Sequence, residues 1–168
     1  MLAYSIPASG HQLTFTEDVI TQFQNHRQKG RFTRERGGQL FAEFDAGNIL
    51  ICHATGPKRQ DRRGRFFFKP DRLREQREIN KNFHNGIHYV GDWHTHPEDR
   101  PTPSHIDIDS MKDCVTHSIH QLDAFVLVIV GRLQFPDGLS VTLHGNNTVE
   151  TLTTSTHDLC GVKGFTHL

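Results

Sequence analysis

The chain has 168 residues, a length that suits one domain around one core, and it contains no stretch of about eighteen apolar residues that could span a membrane. Its three cysteines, Cys52, Cys114 and Cys160, are odd in number and far apart, which excludes a disulfide framework or a Cys-x-x-Cys zinc ribbon and points to a reducing, cytoplasmic setting. Net charge is zero, yet residues 1–84 hold 15 Lys and Arg against 9 Asp and Glu, and residues 85–168 hold 4 against 10.

From the N-terminus, Met1 to Pro7 lack the basic flank and apolar run of a signal peptide. A first helix is predicted from Thr16 to about Lys29. Thr16 suits the N-cap, Glu17 and Asp18 suit the first turn, Val19, Ile20, Phe23 and His26 share a face, and Gly30 supplies a stop. Two strands, Gly38 to Phe44 and Asn48 to Ala54, flank the turn residues 45–48 and read as a hairpin. A basic loop, Lys58 to Arg65, follows. It reads either as a solvated loop or as a landing site for an acidic partner or nucleic acid. No aromatic-interleaved RNA motif or zinc finger accompanies it, which argues against nucleic acid. Phe66 to Phe68 is strand-like. A second helix is expected from Pro70-Asp71 to about Phe83, with Leu73, Ile79 and Phe83 as buried positions.

A strand from Ile87 to Trp93 leads into His94-Thr95-His96-Pro97. A third helix is expected from Ser104 to about Ile119, with Thr102 as its N-cap and Pro103 at its first position. Residues 124–130 are continuously apolar and of strand length, so they predict a central strand buried on both faces. Pro136 to Gly138 turns the chain into a last strand, Leu139 to His144. The tail after Gly145 shows no clear pattern. The sum is an α+β fold, one domain with a mixed sheet flanked by helices, a core of about residues 16–144 and a C-terminal tail, 145–168.

The chemistry centres on His94 and His96. Residues i and i+2 of a strand project to one face, roughly 6–7 Å apart along it, so two imidazoles there can converge on one metal ion. Asp107, in the first turn of the third helix, can return a carboxylate to the same ion. Two nitrogens and one oxygen suit zinc better than magnesium or calcium, and three protein ligands leave a position open for hydrolysis. His-Glu-x-x-His is absent, so a base for water must come from elsewhere, and Glu35, before Gly37-Gly38, is the candidate. Read alone, Glu35 fits an ordinary surface acid better than a base, and Ser104 is either a helix-capping residue or an oxyanion donor. A zinc deaminase would need His-x-Glu and Pro-Cys-x-x-Cys, and neither occurs.

Glu35 with its glycines, His94-x-His96-Pro97, Ser104 and Asp107 together resemble the JAMM (MPN-type) metalloproteases, and His88 to Trp93 resembles the prokaryotic branch. The resemblance covers about residues 16–144. It implies a single MPN-type, cytidine-deaminase-like domain binding one zinc per chain through His94, His96 and Asp107. It implies Glu35 as general base and Ser104 as oxyanion donor. The implied reaction is cleavage of the amide after the C-terminal glycine of a ubiquitin-like protein or its conjugate, with a non-catalytic MPN scaffold as the rival reading. Bacterial settings of the family include sulfur-carrier processing and antiviral conjugation operons such as CBASS, the basic loop inclining the choice to conjugation.

Overall fold

In the computed structural model, residues 1–118 and 120–155 are described. Ile119, the expected end of the third helix, and residues 156–168, which include Cys160, lie outside them. Eleven strands and three helices follow one another along the described chain. Their order is β1 (Leu2–Ile6), β2 (His11–Phe15), α1 (Glu17–His26), β3 (Gly37–Asp45), β4 (Asn48–Ala54), β5 (Arg62–Arg63) and β6 (Phe68–Lys69). Then come α2 (Arg72–His84), β7 (His88–Thr95), α3 (His105–His117), β8 (Phe125–Val130), β9 (Leu139–His144), β10 (Val149–Thr151) and β11 (Thr153–Thr154). Nine strands form one sheet in the order β10-β9-β8-β7-β3-β4-β2-β1-β11, and β5 pairs with β6. The sheet is mixed, since β7–β8 and β2–β4 run parallel and the remaining neighbours antiparallel. The fold is therefore α+β, as the sequence pattern predicts.

β8 shows how the sheet is covered. Val126, Val128 and Val130 face the core containing Val19 and Phe23 of α1, while Phe125, Leu127 and Ile129 face Met111 and Val115 of α3. All six residues of β8 are buried, so each face needs apolar side chains and the polar alternation of a half-exposed strand is absent. β7 lies between β8 and β3 and carries the same division. Trp93 enters the α1 core, its ring centroid 5.1 Å from that of Phe23, and its indole N–H donates to Thr55 O at 2.8 Å. Successive residues alternate faces, so His94 emerges on the side of α2 and α3.

Several expectations are corrected. α1 ends at His26 with Arg27 as its C-cap, three residues before Gly30, and Thr16 caps it without a side-chain hydrogen bond. Phe66 and Phe67 stand outside any strand and are exposed, because Gly64 N–H donates to Phe67 O and turns the chain, leaving only Phe68 paired. The N-cap of α3 is Ser104, not Thr102: Ser104 and Asp107 bond each other reciprocally and fix the helix start two residues later. β1 and β2, which the pattern left unassigned, extend the sheet, and β10 and β11 lie in the unpatterned tail.

The expected apolar face of α2 is also overturned. Leu73 and Phe83 are exposed, and the buried residue of the helix is Glu75. Within α2, Arg72 Nη1 lies 3.1 Å from Glu75 Oε2; within β7, Tyr89 donates its hydroxyl to Asp92 Oδ1 at 3.1 Å, and the Asp92 carboxyl acts on Glu75 across the contact. Burial, reinforced by the negative Asp92 and opposed by Arg72, pushes the Glu75 carboxyl up to about 7. Among the described residues no helix is long and apolar enough to cross a membrane.

Glu75 holds its proton more tightly in the folded than in the unfolded chain, where a glutamate titrates near ~4.3. The stability this contributes is complete below that value and is lost as pH rises through about 7. The thermal midpoint of metal-free protein is therefore expected to fall between about pH 5 and about pH 8, with a shallower fall in Glu75→Gln. An equal fall in the variant would assign the effect to other groups.

Candidate metal centre

The C-terminal end of β7 and the first turn of α3 bring His94, His96 and Asp107 together, with one donor atom from each lying within 4.8 Å of the others. His94 Nε2 is 3.1 Å from His96 Nε2 and 3.0 Å from Asp107 Oδ1, and His96 Nε2 is 3.5 Å from Asp107 Oδ2. Donors bonded to one tetrahedral zinc at about 2.0–2.2 Å would stand about 3.3–3.6 Å apart. The three side chains thus form a seat of the right size and donor chemistry for one such ion. His96 N–H donates to Val130 O at 2.9 Å, which keeps the residue beyond β7 in line with the sheet. On the outer side of its ring, the Glu98 carboxylate lies 3.9 Å from Nδ1.

Asp107 works in two directions. Its Oδ2 accepts the Ser104 N–H at 2.7 Å, closing the capping box of α3, while its oxygens also face both imidazoles. Burial alone would raise its carboxyl, but hydrogen bonds from His94 and His96 hold it well below the ordinary carboxylate range. For His96 burial acts downward and the Asp107 partnership prevails, so the imidazole is shifted up. The cluster is therefore built to hold positive charge between its members.

Glu35 reaches the same place from a distant part of the chain. It is buried at 4% exposure and lines a cavity of about 520 Å³ together with His94, His96, Ser104 and Asp107. Burial pushes its carboxyl up to about 7, with His96 acting downward and Asp107 upward. A carboxyl titrating near neutrality can both accept and release a proton. The reading of Glu35 as a surface acid fails on its burial. Ser104 stands exposed at the mouth; its Oγ accepts the Asp107 N–H at 3.3 Å, and its own hydroxyl proton has no protein acceptor among the described residues. It is both cap and available donor. Phe66, Phe67, Ile106, Met111 and Leu127 supply an apolar wall to the cavity.

Sequence reasoning did not identify what holds Glu35 there. Arg36 N–H donates to Thr95 Oγ1 at 3.1 Å, and Thr95 N–H donates to Arg36 O at 2.8 Å, so the residue after Glu35 is clamped to the residue between the two histidines. Thr95 donates its hydroxyl to Gln28 Oε1 at 2.9 Å, and Gln28 Nε2 donates to Thr33 O at 2.9 Å and Arg65 O at 3.2 Å. Gln28 is 2% exposed and spends its whole amide on three segments. A lone glutamine just beyond a helix carries no pattern that marks this role. The glycines behave as expected: a Cβ on Gly37 would come within 2.6 Å of Trp93 O, and one on Gly38 would strike the Thr55 carbonyl.

A sheet-borne N,N,O metal seat that opens on a cavity with a buried carboxyl defines a mononuclear metal-dependent hydrolase class. Residues 16–144 match the model of the prokaryotic homologues of the JAB domain, and the chain belongs to that family. Over 125 residues it is 33% identical to a CD-NTase/cGAS isopeptidase of Escherichia coli (strain TW11681), covering 73% of this chain and 78% of that protein. Over 120 residues it is 34% identical to a CD-NTase/cGAS isopeptidase of Vibrio cholerae serotype O1, covering 70% and 74%. The solution structure of a protein from Desulfitobacterium hafniense shares the fold, with a TM-score of 0.60 and 16% identity over 83% of this chain and 88% of that one.

Metal analysis of purified protein is expected to find about one divalent ion per chain, reduced at least about tenfold in His96→Ala. Gln28→Ala, which strands two carbonyls and the Thr95 hydroxyl, is expected to cost about 2–4 kcal/mol in unfolding free energy while the metal content holds. A metal content that collapses in Gln28→Ala would mean that this amide supports the histidines rather than the Glu35 loop.

Proposed function

We propose that this chain is a zinc-dependent isopeptidase that cleaves the amide formed by the C-terminal carboxyl of a conjugated polypeptide. A nucleotidyltransferase of the CD-NTase/cGAS type, conjugated in a CBASS-type antiviral system, is the substrate favoured within the wider ubiquitin-like class. The observation that carries the reading is the convergence of His94, His96 and Asp107 on a cavity that also contains buried Glu35. The names of the bacterial relatives support the choice of bond and substrate.

In this reading His94, His96 and Asp107 hold the zinc. When bound, the zinc supplies Lewis acidity towards a carbonyl oxygen and acidifies a water molecule. Glu35 would take a proton from the attacking water as its oxygen bonds to the carbonyl carbon and would deliver that proton to the amine nitrogen as the C–N bond breaks, so the products are a free carboxylate and a free amine. Ser104 donates its hydroxyl to the carbonyl oxygen as negative charge gathers there. Gln28 and Thr95, through Arg36, keep the Glu35 carboxyl from drifting out of reach. The exposed apolar wall of Phe66, Phe67 and Ile106 accommodates the uncharged stretch of polypeptide beside the bond, and that stretch excludes water once seated.

The whole chain is read as one domain with its core at about residues 16–144. The coverage of one mixed sheet by α1 on one face and by α2 and α3 on the other supports the cytidine-deaminase-like architecture.

Glu35→Gln is expected to retain metal and to lower the rate of conjugate cleavage by about 10²–10⁴-fold. Ser104→Ala is expected to lower it by about 10²–10³-fold at nearly unchanged KM. Cleavage by Glu35→Gln at the wild-type rate, with metal bound, would remove this carboxyl from the mechanism.

A further inference from the structure

The basic loop of the sequence is not a detached solvated segment. Asp61, buried, receives the N–H groups of Lys58 and Asp71 and pairs with Arg74 at 3.3 Å, so the loop is pinned at its base. Its tip packs against a second basic segment that composition alone does not single out, residues 30–36. Glu35 N–H donates to Gly64 O at 2.7 Å, and Arg65 donates to Arg31 O. Between the two segments lies a cleft of about 510 Å³ lined by Arg31, Phe32, Thr33, Arg34, Arg36 and Arg63. Among the described residues no carboxylate lines it.

Three of these arginines, Arg31, Arg34 and Arg63, share one cleft and, like Arg59, Arg62 and Arg77 outside it, meet no carboxylate among the described residues. Arg72, Arg74, Arg100 and Arg132 each meet a carboxylate within 4.0 Å. Among the described residues the guanidinium groups of Arg31, Arg34 and Arg63 have no ion-pair partner and donate no hydrogen bond. Each therefore keeps five fixed donors for an outside acceptor. Phe32, 87% exposed, stands among them, with the Arg31 guanidinium 5.8 Å from its ring centroid. Like charges are gathered here on two loop segments that the Gln28 amide ties together through Thr33 O and Arg65 O. The cleft lies next to the metal cavity along the chain, because Arg34 and Arg36, which line the cleft, flank Glu35, which lines that cavity.

We infer that this cleft is a docking site for an acidic segment of the polypeptide conjugate whose amide bond is cut next door. The inference rests on the isopeptidase reading for its choice of a polypeptide over other polyanions. Aspartate and glutamate side chains of the segment take bidentate bonds from Arg31, Arg34 and Arg63, and an apolar residue among them packs on Phe32. The cleft tethers the conjugate beside Glu35 without touching the reacting atoms, so it acts on capture and not on the chemical step.

The test measures binding apart from cleavage. A fluorescein-labelled deca-glutamate peptide is titrated into the metal-loaded Glu35→Gln protein at low and moderate salt, beside a single-stranded oligonucleotide of equal charge. The triple variant Arg31→Gln/Arg34→Gln/Arg63→Gln is expected to bind the peptide at least about tenfold more weakly, with an unchanged thermal midpoint and metal content. Arg77→Glu, on the exposed side of α2, is expected to leave binding as it was. In the Glu35-intact background the triple variant is expected to raise KM for an acidic conjugate about tenfold at constant kcat. Peptide binding that survives the triple variant, or binding of the oligonucleotide alone, would overturn the inference. Should no conjugate be cleaved while the peptide still binds through the three arginines, the isopeptidase reading would fall and the acidic-segment site would stand.

Discussion

The two hydrogen bonds between Arg36 and Thr95 are the constraint on which the site depends. The candidate metal ligands at the end of β7 and the candidate base are separated by about sixty positions in the chain, and neither segment can assemble the site alone. β3 and β7 pair antiparallel with Gly37 opposite His94, so one backbone ladder sets the distance between Glu35 and the imidazoles. Thr95 turns that ladder into a clamp. Its backbone and hydroxyl both engage Arg36, and its side chain passes the restraint on to Gln28. The glycines of β3 follow from the same closeness, since the strands and Trp93 leave no volume for a Cβ at Gly37.

The electrostatics of the centre follow from what Asp107 is asked to do. A helix start favours negative charge, and a carboxylate at the third helical position satisfies a free backbone donor. Here that carboxylate also faces two imidazoles, which makes a helix cap part of a metal seat. Two acids of this chain are treated in opposite ways by neighbouring surroundings. Asp107, surrounded by donors, stays ionised, while Glu35, buried without such compensation, is pushed up to about 7. A separation of this kind is the electrostatic pattern expected where one carboxyl holds a cation and another moves protons, which is the division of roles proposed above.

The surface around the cavity presents two different chemistries. On one side Phe66, Phe67 and Ile106 present apolar area that no part of the described chain covers. On the other, arginines with unspent donors line a second cleft. Both are carried by the loops around Glu35 and by the start of α3, where side chains can vary without disturbing the sheet. Asp61 and Gln28 keep these loops ordered, and an ordered surface binds an extended polypeptide at a smaller entropic cost.

Local and periodic signals were legible in the chain. The spacing of His94, His96 and Asp107, the apolar run of β8 and the hairpin of β3 and β4 each announce themselves within a few residues, because side-chain alternation and turn chemistry are short-range properties. The resemblance of the separated motifs then reached Glu35. Long-range packing was not legible. Leu73 and Phe83 match an apolar helical face and are exposed, because the sheet offers α2 a charged partner, Asp92, where the pattern assumes an apolar one. Gln28 bears no mark of its office, since an amide becomes a hub only when three distant segments arrive around it. The sequence by itself determined the donor set, the family and the central strand. The burial of Glu35, the clamp through Thr95 and the gathering of Arg31, Arg34 and Arg63 into one cleft were decided by tertiary structure, because each depends on which distant segments the sheet brings within hydrogen-bonding reach.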